Sequence, residues 1–197
     1  MIHRPLVHHV PQLILASSGL WGTVLAAEAL RLHPGVPVVV DASEPPPVRT
    51  AAKDLCRDLE WVLKSHSPLL EKLPEDGRAA IVISSSAADT GINGAEAHTI
   101  LRQANTVRLV GADTRGAIYA IYSFSERFLD MPPWWFWADW KPHTADFIEI
   151  PRDTALTWKA PQVRWRGWFP NDTDMLSPWI LRDSTAHWDR VLETMLR

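Results

Sequence analysis

Apolar residues along this chain fall into short β-branched runs and longer stretches at helical spacing. Their order predicts strand, helix, strand, hairpin, helix, strand. Val36 to Val40, between Gly35 and Asp41, reads as a buried strand. Pro45, Pro46 and Pro47 forbid regular structure until one of them occupies a helix start. A helix is predicted from about Val48 to Ser65. Val48, Ala52, Leu55, Leu59, Val62 and Leu63 form its buried stripe, and Arg49, Lys53, Arg57 and Lys64 lie mostly off it. Cys56 flanks the stripe as a core thiol, and Trp61 is expected to cover a neighbouring loop. Residues 65–78 read as a surface loop, Ala79 to Ser84 as the second strand, and 87–94 as a turn region. Ala97 to Gln103 and Thr106 to Val110 predict a hairpin closed at Ala104-Asn105, with His98 an ordinary strand residue. The next helix runs from Thr114 to about Leu129, capped by Asp113 or Thr114, with Ile118, Ile121, Tyr122, Ser125 and Phe128 on the sheet side. Pro132 and Pro133 then impose an extended path, and Phe147 to Ile150 is a short last strand. The fold class is α/β: an N-terminal α/β sandwich with one mixed sheet, spanning residues 1–155.

Residues 151–162 read as a linker. Val163 to Phe169 predicts a new strand, and the spacing of Trp188, Val191, Leu192 and Met195 predicts a helix from Ser184 or Thr185 to the end. One strand and one helix cannot bury their own faces. Residues 163–197 are therefore expected to open a second, incomplete unit, making the chain a fragment, a truncated product or a partial gene model.

A chain of 197 residues with 46% hydrophobic and 22% charged residues has the composition of a soluble globular protein. The net charge of −3 and the lack of a Lys/Arg block argue against a nucleic-acid partner. A single cysteine excludes an internal disulfide and a cysteine-based metal site. From Pro5 to Ala27 no residue is charged, and Val24-Leu25-Ala26 resembles a cleavage site; two readings stay open, a signal peptide or a native helix from Leu20 to Leu32. His8, His9, Pro11, Ser17, Ser18 and Gly19 interrupt the run and argue against a membrane span.

Trp134, Trp135, Trp137 and Trp140 crowd into seven residues. They either cement a domain boundary or line a site for a flat, polar ligand such as a sugar. The stretch around them resembles the end of the N-terminal domain of the family 115 glycoside hydrolases, the xylan α-glucuronidases. That family has G-x-D-x-R-G, then I-Y-x-x-Y-x-x-S-E, then P-W-x-x-W-x-D. Here stand Gly111, Asp113, Arg115 and Gly116, then Ile118, Tyr119, Tyr122, Ser125 and Glu126, then Pro133, Trp134, Trp137 and Asp139. A second motif, R-G-x-F-x-N-D-E in the family, corresponds to Arg166, Gly167, Phe169, Asn171 and Asp172. The chain departs from the family twice: Asp130 stands where the helix end has Gly, and Thr173 stands where the motif has Glu.

The resemblance implies that residues 163–197 are the first βα unit of a truncated (β/α)8 barrel. It implies an inverting, metal-free removal of (4-O-methyl)-glucuronic acid from xylan, without a cofactor. Asn171 and Asp172 would bind substrate from a strand end, Asp174 is a weaker candidate, and Arg166 is structural. A glycosidase needs two carboxyl groups across the bond, and no such pair is visible before Arg197, so the fragment alone is expected to be inactive. The implied partner is glucuronoxylan, the implied assembly of the full-length protein a homodimer, and the implied location extracellular. The alternative is a non-catalytic carbohydrate-binding or scaffold module built on Trp134 to Trp140. A third reading is a relic without function, prone to aggregate. Asp113 and Arg115 are explained by capping and the turn. His8-His9, Ser84-Ser85-Ser86 and Gly91-Ile92-Asn93-Gly94 match no metal, nucleophile-elbow or phosphate-loop pattern.

Overall fold

A computed structural model of the chain describes residues 29–88, 90–167 and 184–197, with side chains of the last segment from Trp188 onward. The elements are β1 (Leu30–Leu32), β2 (Val38–Val40), α1 (Pro46–Leu63), β3 (Leu69–Leu70), β4 (Ala80–Ser84), β5 (His98–Gln103), β6 (Thr106–Gly111), α2 (Thr114–Leu129), β7 (Ile148–Ile150), β8 (Ala155–Trp158) and α3 (Ser184–Leu196).

Six strands form a mixed sheet in the order β3-β2-β4-β6-β5-β8. The strands β3, β2, β4 and β6 run parallel, and β5 is antiparallel to both β6 and β8. Helices α1 and α2 pack on each other and on the sheet. Val38, Val40, Ile81, Ile83, Ile100, Val107 and Leu109 meet Val48, Leu55, Leu59, Ile118, Ile121 and Phe124 in one core. Val82, Leu101 and Arg108 at alternate positions are only half-buried, the period-2 signature of a sheet covered by helices on one face.

Both long helices lie where their spacing predicts, and the hairpin closes at Ala104-Asn105. Four local expectations are corrected. Leu30–Leu32 is a strand, not a helix end, because Leu30 and Leu32 turn inward while Arg31 faces out, and it pairs with Ile148–Ile150. The sheet is therefore not single: β1 and β7 form a separate two-stranded ribbon. Leu69–Leu70, inside the expected loop, extends the sheet beside β2, and Ala155–Trp158, inside the expected linker, adds the far edge strand. Val163 to Gly167, the described part of the strand expected over Val163 to Phe169, makes no strand pairing among the described residues. The signal-peptide question falls within residues 1–28, outside the described residues.

Helix α1 starts at Pro46, with Pro45 at its N-cap. Burial pushes the thiol of Cys56 up to about 11, so it stays protonated and inert. Helix α2 ends at Asp130, which adopts the left-handed conformation (φ 55°, ψ 39°) that a glycine would take without cost. Its carboxylate meets His143 at 3.2 Å, an exposed pair of small value. Asp130→Gly is therefore expected to stabilise the chain by about 0.5–1 kcal/mol. Urea unfolding checks this; an unchanged or lowered midpoint would contradict it.

Candidate functional site

Strand β6 runs into α2 through a junction too tight for side chains. A Cβ on Gly111 would lie 1.9 Å from the backbone nitrogen of Ala117, and one on Gly116 would lie 2.4 Å from the carbonyl oxygen of Ala97. Asp113 is the N-cap: Oδ1 accepts the backbone N–H of Gly116 at 2.7 Å and Oδ2 that of Glu96 at 3.0 Å. The side chain thus closes the helix start and holds the chain that precedes β5.

That second bond places Glu96 at the centre of the site. Glu96 is buried and left-handed, with φ 68°. Such a backbone costs about 1–3 kcal/mol and persists only where the surroundings enforce it. Its Oε1 pairs with Arg115 Nη1 at 3.1 Å, and its Oε2 accepts from Arg166 Nη2. Arg166 also donates to the carbonyl oxygen of Val163 at 2.7 Å and to the Tyr119 hydroxyl at 3.2 Å. One carboxylate therefore ties Arg115, in the first motif, to Arg166, in the second. Nothing in the sequence pointed to Glu96, and the expected tie between Arg115 and its turn is in fact a salt bridge to this residue.

His98 lies beside this clamp. Its Nδ1 is 3.2 Å from the carbonyl oxygen of Glu96 and its Nε2 is 2.9 Å from Ser123 Oγ. A carbonyl only accepts, so Nδ1 carries the proton and Nε2 accepts from the serine. The ring stacks on Trp158 at 4.8 Å. Ser123 sits in mid-helix, where backbone N–H groups are already bonded, so the pair lacks oxyanion donors. Burial holds His98 below the usual imidazole value of 6.5. Below that pH the unfolded chain binds a proton that the folded chain resists. The stability this ring contributes is complete above about pH 6.5 and is lost as pH falls through the depressed folded value. Urea midpoints should drop from pH 7.5 towards pH 5, with a shallower drop in His98→Gln. Equal slopes would contradict this assignment.

The four tryptophans do not act as a unit. Trp135 is buried and meets Trp61 edge-on at 5.0 Å, with Arg57 and Arg197 over its ring at 5.6 and 5.9 Å. Trp140 donates from Nε1 to the carbonyl oxygen of Asp130 at 2.8 Å, closing the loop back on the end of α2. Trp134 is 63% exposed and Trp137 39%, and the two stack at 5.7 Å with planes 27° apart. Together with Arg115, Tyr119, Arg166, Gly167, Thr194 and Met195 they line a cavity of about 640 Å³. One aromatic run is therefore divided: Trp135 packs in the core, Trp140 ties the loop to α2, and Trp134 and Trp137 line the cavity. Asn171, Asp172 and Asp174 lie outside the described residues.

Helix α3 is held against α1 and α2 by a buried charge network. Arg57 contacts Asp54 at 2.8 Å, Asp58 at 2.9 Å and Glu193 at 2.7 Å. Arg197 contacts Asp58 and Glu193, both at 2.6 Å. Arg190 pairs with Glu193, and the Tyr122 hydroxyl donates to Asp54 at 2.9 Å. Burial raises Asp54 above the usual carboxylate value despite Arg57 beside it. Val191 is buried in this contact, while Trp188, Leu192 and Met195 of the same predicted stripe are exposed. Among the described residues, no group of three His, Cys, Asp or Glu side chains is arranged to hold a metal ion, and no helix is long and apolar enough to cross a membrane.

No family model and no curated protein matches the sequence. Solved structures do match the fold. A family GH115 4-O-methyl-α-glucuronidase, BtGH115A, an enzyme with specificity for decorated arabinogalactans, aligns with a TM-score of 0.72 at 24% identity, over 86% of this chain and 24% of that one. The GH20 β-N-acetylhexosaminidase of Streptomyces coelicolor A3(2) aligns with a TM-score of 0.51 at 14% identity, over 79% of this chain and 29% of that one. The chain thus spans only about a quarter of the length of these enzymes. The mixed α/β fold of this chain is shared with part of a GH115 glucuronidase and, less closely, with part of a GH20 hexosaminidase.

Proposed function

We propose that this chain is the N-terminal part of a glycoside hydrolase that removes (4-O-methyl)-glucuronosyl side chains from a polysaccharide, glucuronoxylan or a decorated arabinogalactan. In this reading residues 1–155 are the accessory α/β domain and residues 163–197 open a (β/α)8 catalytic barrel. The acid and base lie beyond Arg197, with Asn171 and Asp172 among the groups that hold the sugar. The observation that carries the reading is the Glu96 clamp. Arg115 and Arg166, from the two sequence motifs that resemble the family, meet on one buried carboxylate inside a fold similar to that of a GH115 enzyme.

Hydrolysis requires an acid and a base or nucleophile facing each other across the glycosidic bond. Among the described residues, the buried carboxylates Asp58, Glu96 and Glu193 are all spent on guanidinium groups, and the large cavity is lined by no carboxylate. The 197-residue chain is therefore expected to release no glucuronic acid from glucuronoxylan or from glucuronate-decorated arabinogalactan. A product assay checks this; turnover by the purified chain would overturn the assignment of the catalytic pair.

A second reading is favoured by one specific feature. Trp134 and Trp137 stack at the rim of a cavity that also presents two guanidinium groups. A module that binds carbohydrate without cleaving it needs such a surface.

A further inference from the structure

Strand β8 is an edge of the six-stranded sheet, paired on one side only, with β5. The bonds on that side show which backbone groups face outward. The N–H of Arg102 donates to the carbonyl oxygen of Thr154 at 2.9 Å, and Leu101 stands opposite Ala155 in the ladder. Along an antiparallel pair, bonded and non-bonded positions alternate. Thr154, Leu156 and Trp158 therefore turn their backbone groups towards β5, and Ala155 and Thr157 turn theirs away. The carbonyl oxygen of Leu156 accepts from Thr99 Oγ1 at 2.8 Å, on the same inner side. Among the described residues, no backbone bond forms on the outer side of Ala155 or Thr157. Both residues are small and exposed. A further strand can therefore approach to the ladder spacing of about 4.8 Å.

Open edges are commonly blunted by charges or prolines. Here those residues flank the strand and leave its middle clear. They are also placed symmetrically. Pro151 and Pro161 stand at equal distance on either side of Leu156, as do Asp153 and Lys159, and as do Ala155 and Thr157. The segment is thus self-complementary about Leu156. Two antiparallel copies related by a two-fold axis at Leu156 set Ala155 of one opposite Thr157 of the other, so the outward donors and acceptors meet. The same register sets Asp153 of each copy opposite Lys159 of the other. A slip of one ladder step in either direction sets Asp153 against Pro161 or Lys159 against Pro151. Within the chain, the side chains of Asp153 and Lys159 make no hydrogen bond or ion pair among the described residues.

We propose that two copies of this chain pair edge to edge through β8, joining their sheets across a two-fold axis at Leu156. Such an interface is isologous, with one surface patch used twice, and its main-chain bonds are those of strand addition to a sheet edge. The glycosidase reading above plays no part in it. The contact is small and its ion pairs are exposed, so each is of small value. The dimer therefore belongs with weak, concentration-dependent contacts, and added salt should loosen it.

The test is sedimentation velocity of the 197-residue chain from micromolar to millimolar concentration. The parent is expected to shift from monomer to dimer over that range. Ala155→Pro removes an outward N–H from each copy and leaves the bonds to β5 in place, the one setting in which a strand tolerates proline. It should weaken dimerisation by about ten-fold or more. Asp153→Lys and Lys159→Glu each set like charges opposite one another, so each alone should dimerise less than the parent. Mixed together, these two variants should prefer each other to themselves, because both facing pairs are then opposite in sign. The double variant should recover parental dimerisation. Circular dichroism confirms that each variant is folded. Amide exchange needs no variant: the N–H groups of Ala155 and Thr157 should slow as the parent is concentrated.

A parent that stays monomeric at millimolar concentration would overturn the proposal. A dimer untouched by Ala155→Pro would place the interface elsewhere and overturn it too. Charge variants that show no preference for each other when mixed would overturn the register about Leu156.

Discussion

Gly111→Ala is expected to prevent stable folding. The added Cβ would lie 1.9 Å from the nitrogen of Ala117, 2.3 Å from the carbonyl carbon of Gly116 and 2.6 Å from the carbonyl oxygen of Asp113. All three are backbone atoms at the start of α2, so no flexible side chain can swing away. The backbone of Gly111 is not left-handed; the demand is for room alone. Relief requires lifting the first turn of α2 off the end of β6, which would break the Asp113 cap and the Glu96 clamp together. The cost should exceed about 4 kcal/mol, a value reached by few single substitutions. Since domains of this size have about 5–15 kcal/mol in total, the variant should be recovered largely unfolded or aggregated. Gly167→Ala is the control, because a Cβ there meets nothing within 4 Å among the described residues. Its urea midpoint should match that of the parent. A Gly111→Ala protein with near-parental stability would show that the junction is looser than described.

Asp58→Ala should cost roughly 3–5 kcal/mol, the range for removing one partner of a buried ion pair. Asp58 is fully buried and accepts from Arg57 at 2.9 Å and from Arg197 at 2.6 Å. Its removal leaves two buried guanidinium groups short of a carboxylate, with Glu193 shared between them and Asp54 on Arg57. The damage should be directional. Residues of α3 are held to α1 by these charges, so amide exchange should rise first in Ser184–Leu196 and only later in α1 and α2. Uniform loss of protection would contradict the view that the network is what docks α3. Asp58→Asn retains the shape and one hydrogen bond, and should fall between the parent and the alanine variant.

Much of this architecture could be read from spacing. The stripe Val48–Leu63 and the face of α2 carry unmistakable helical periods, and their ends are fixed by prolines and by Asp113. The hairpin was legible because Thr106 to Val110 alternates. The strands that escaped are short or lie at edges. Leu69–Leu70 is two residues long, and Ala155–Trp158 is flanked by Pro151 and Pro161, which read as linker. Their strand character comes from the neighbours they join, not from a local period.

The site was less legible than the fold. The tryptophan run announced itself, but its division into buried Trp135 and exposed Trp134 depends on how the loop after Asp130 folds back, set by the Trp140 bond to Asp130. Glu96 sits in a turn-rich stretch next to Ala97 and looks like any surface acid. Its role appears only when Arg166, 70 residues later, returns to it. Asp58 is no more legible, because a charged residue between Arg57 and Leu59 looks like the solvated side of a helix although it is fully buried. The family resemblance named Arg115 and Arg166 but not the carboxylate that joins them.

The central claim is that this chain is the front of a longer glycosidase. Reading the natural transcript past Arg197 tests it most directly. The account predicts an open frame that continues for several hundred residues, with Asp and Glu at successive strand ends of a barrel, and a product that releases glucuronate from a decorated polysaccharide. A stop codon directly after Arg197 would contradict it.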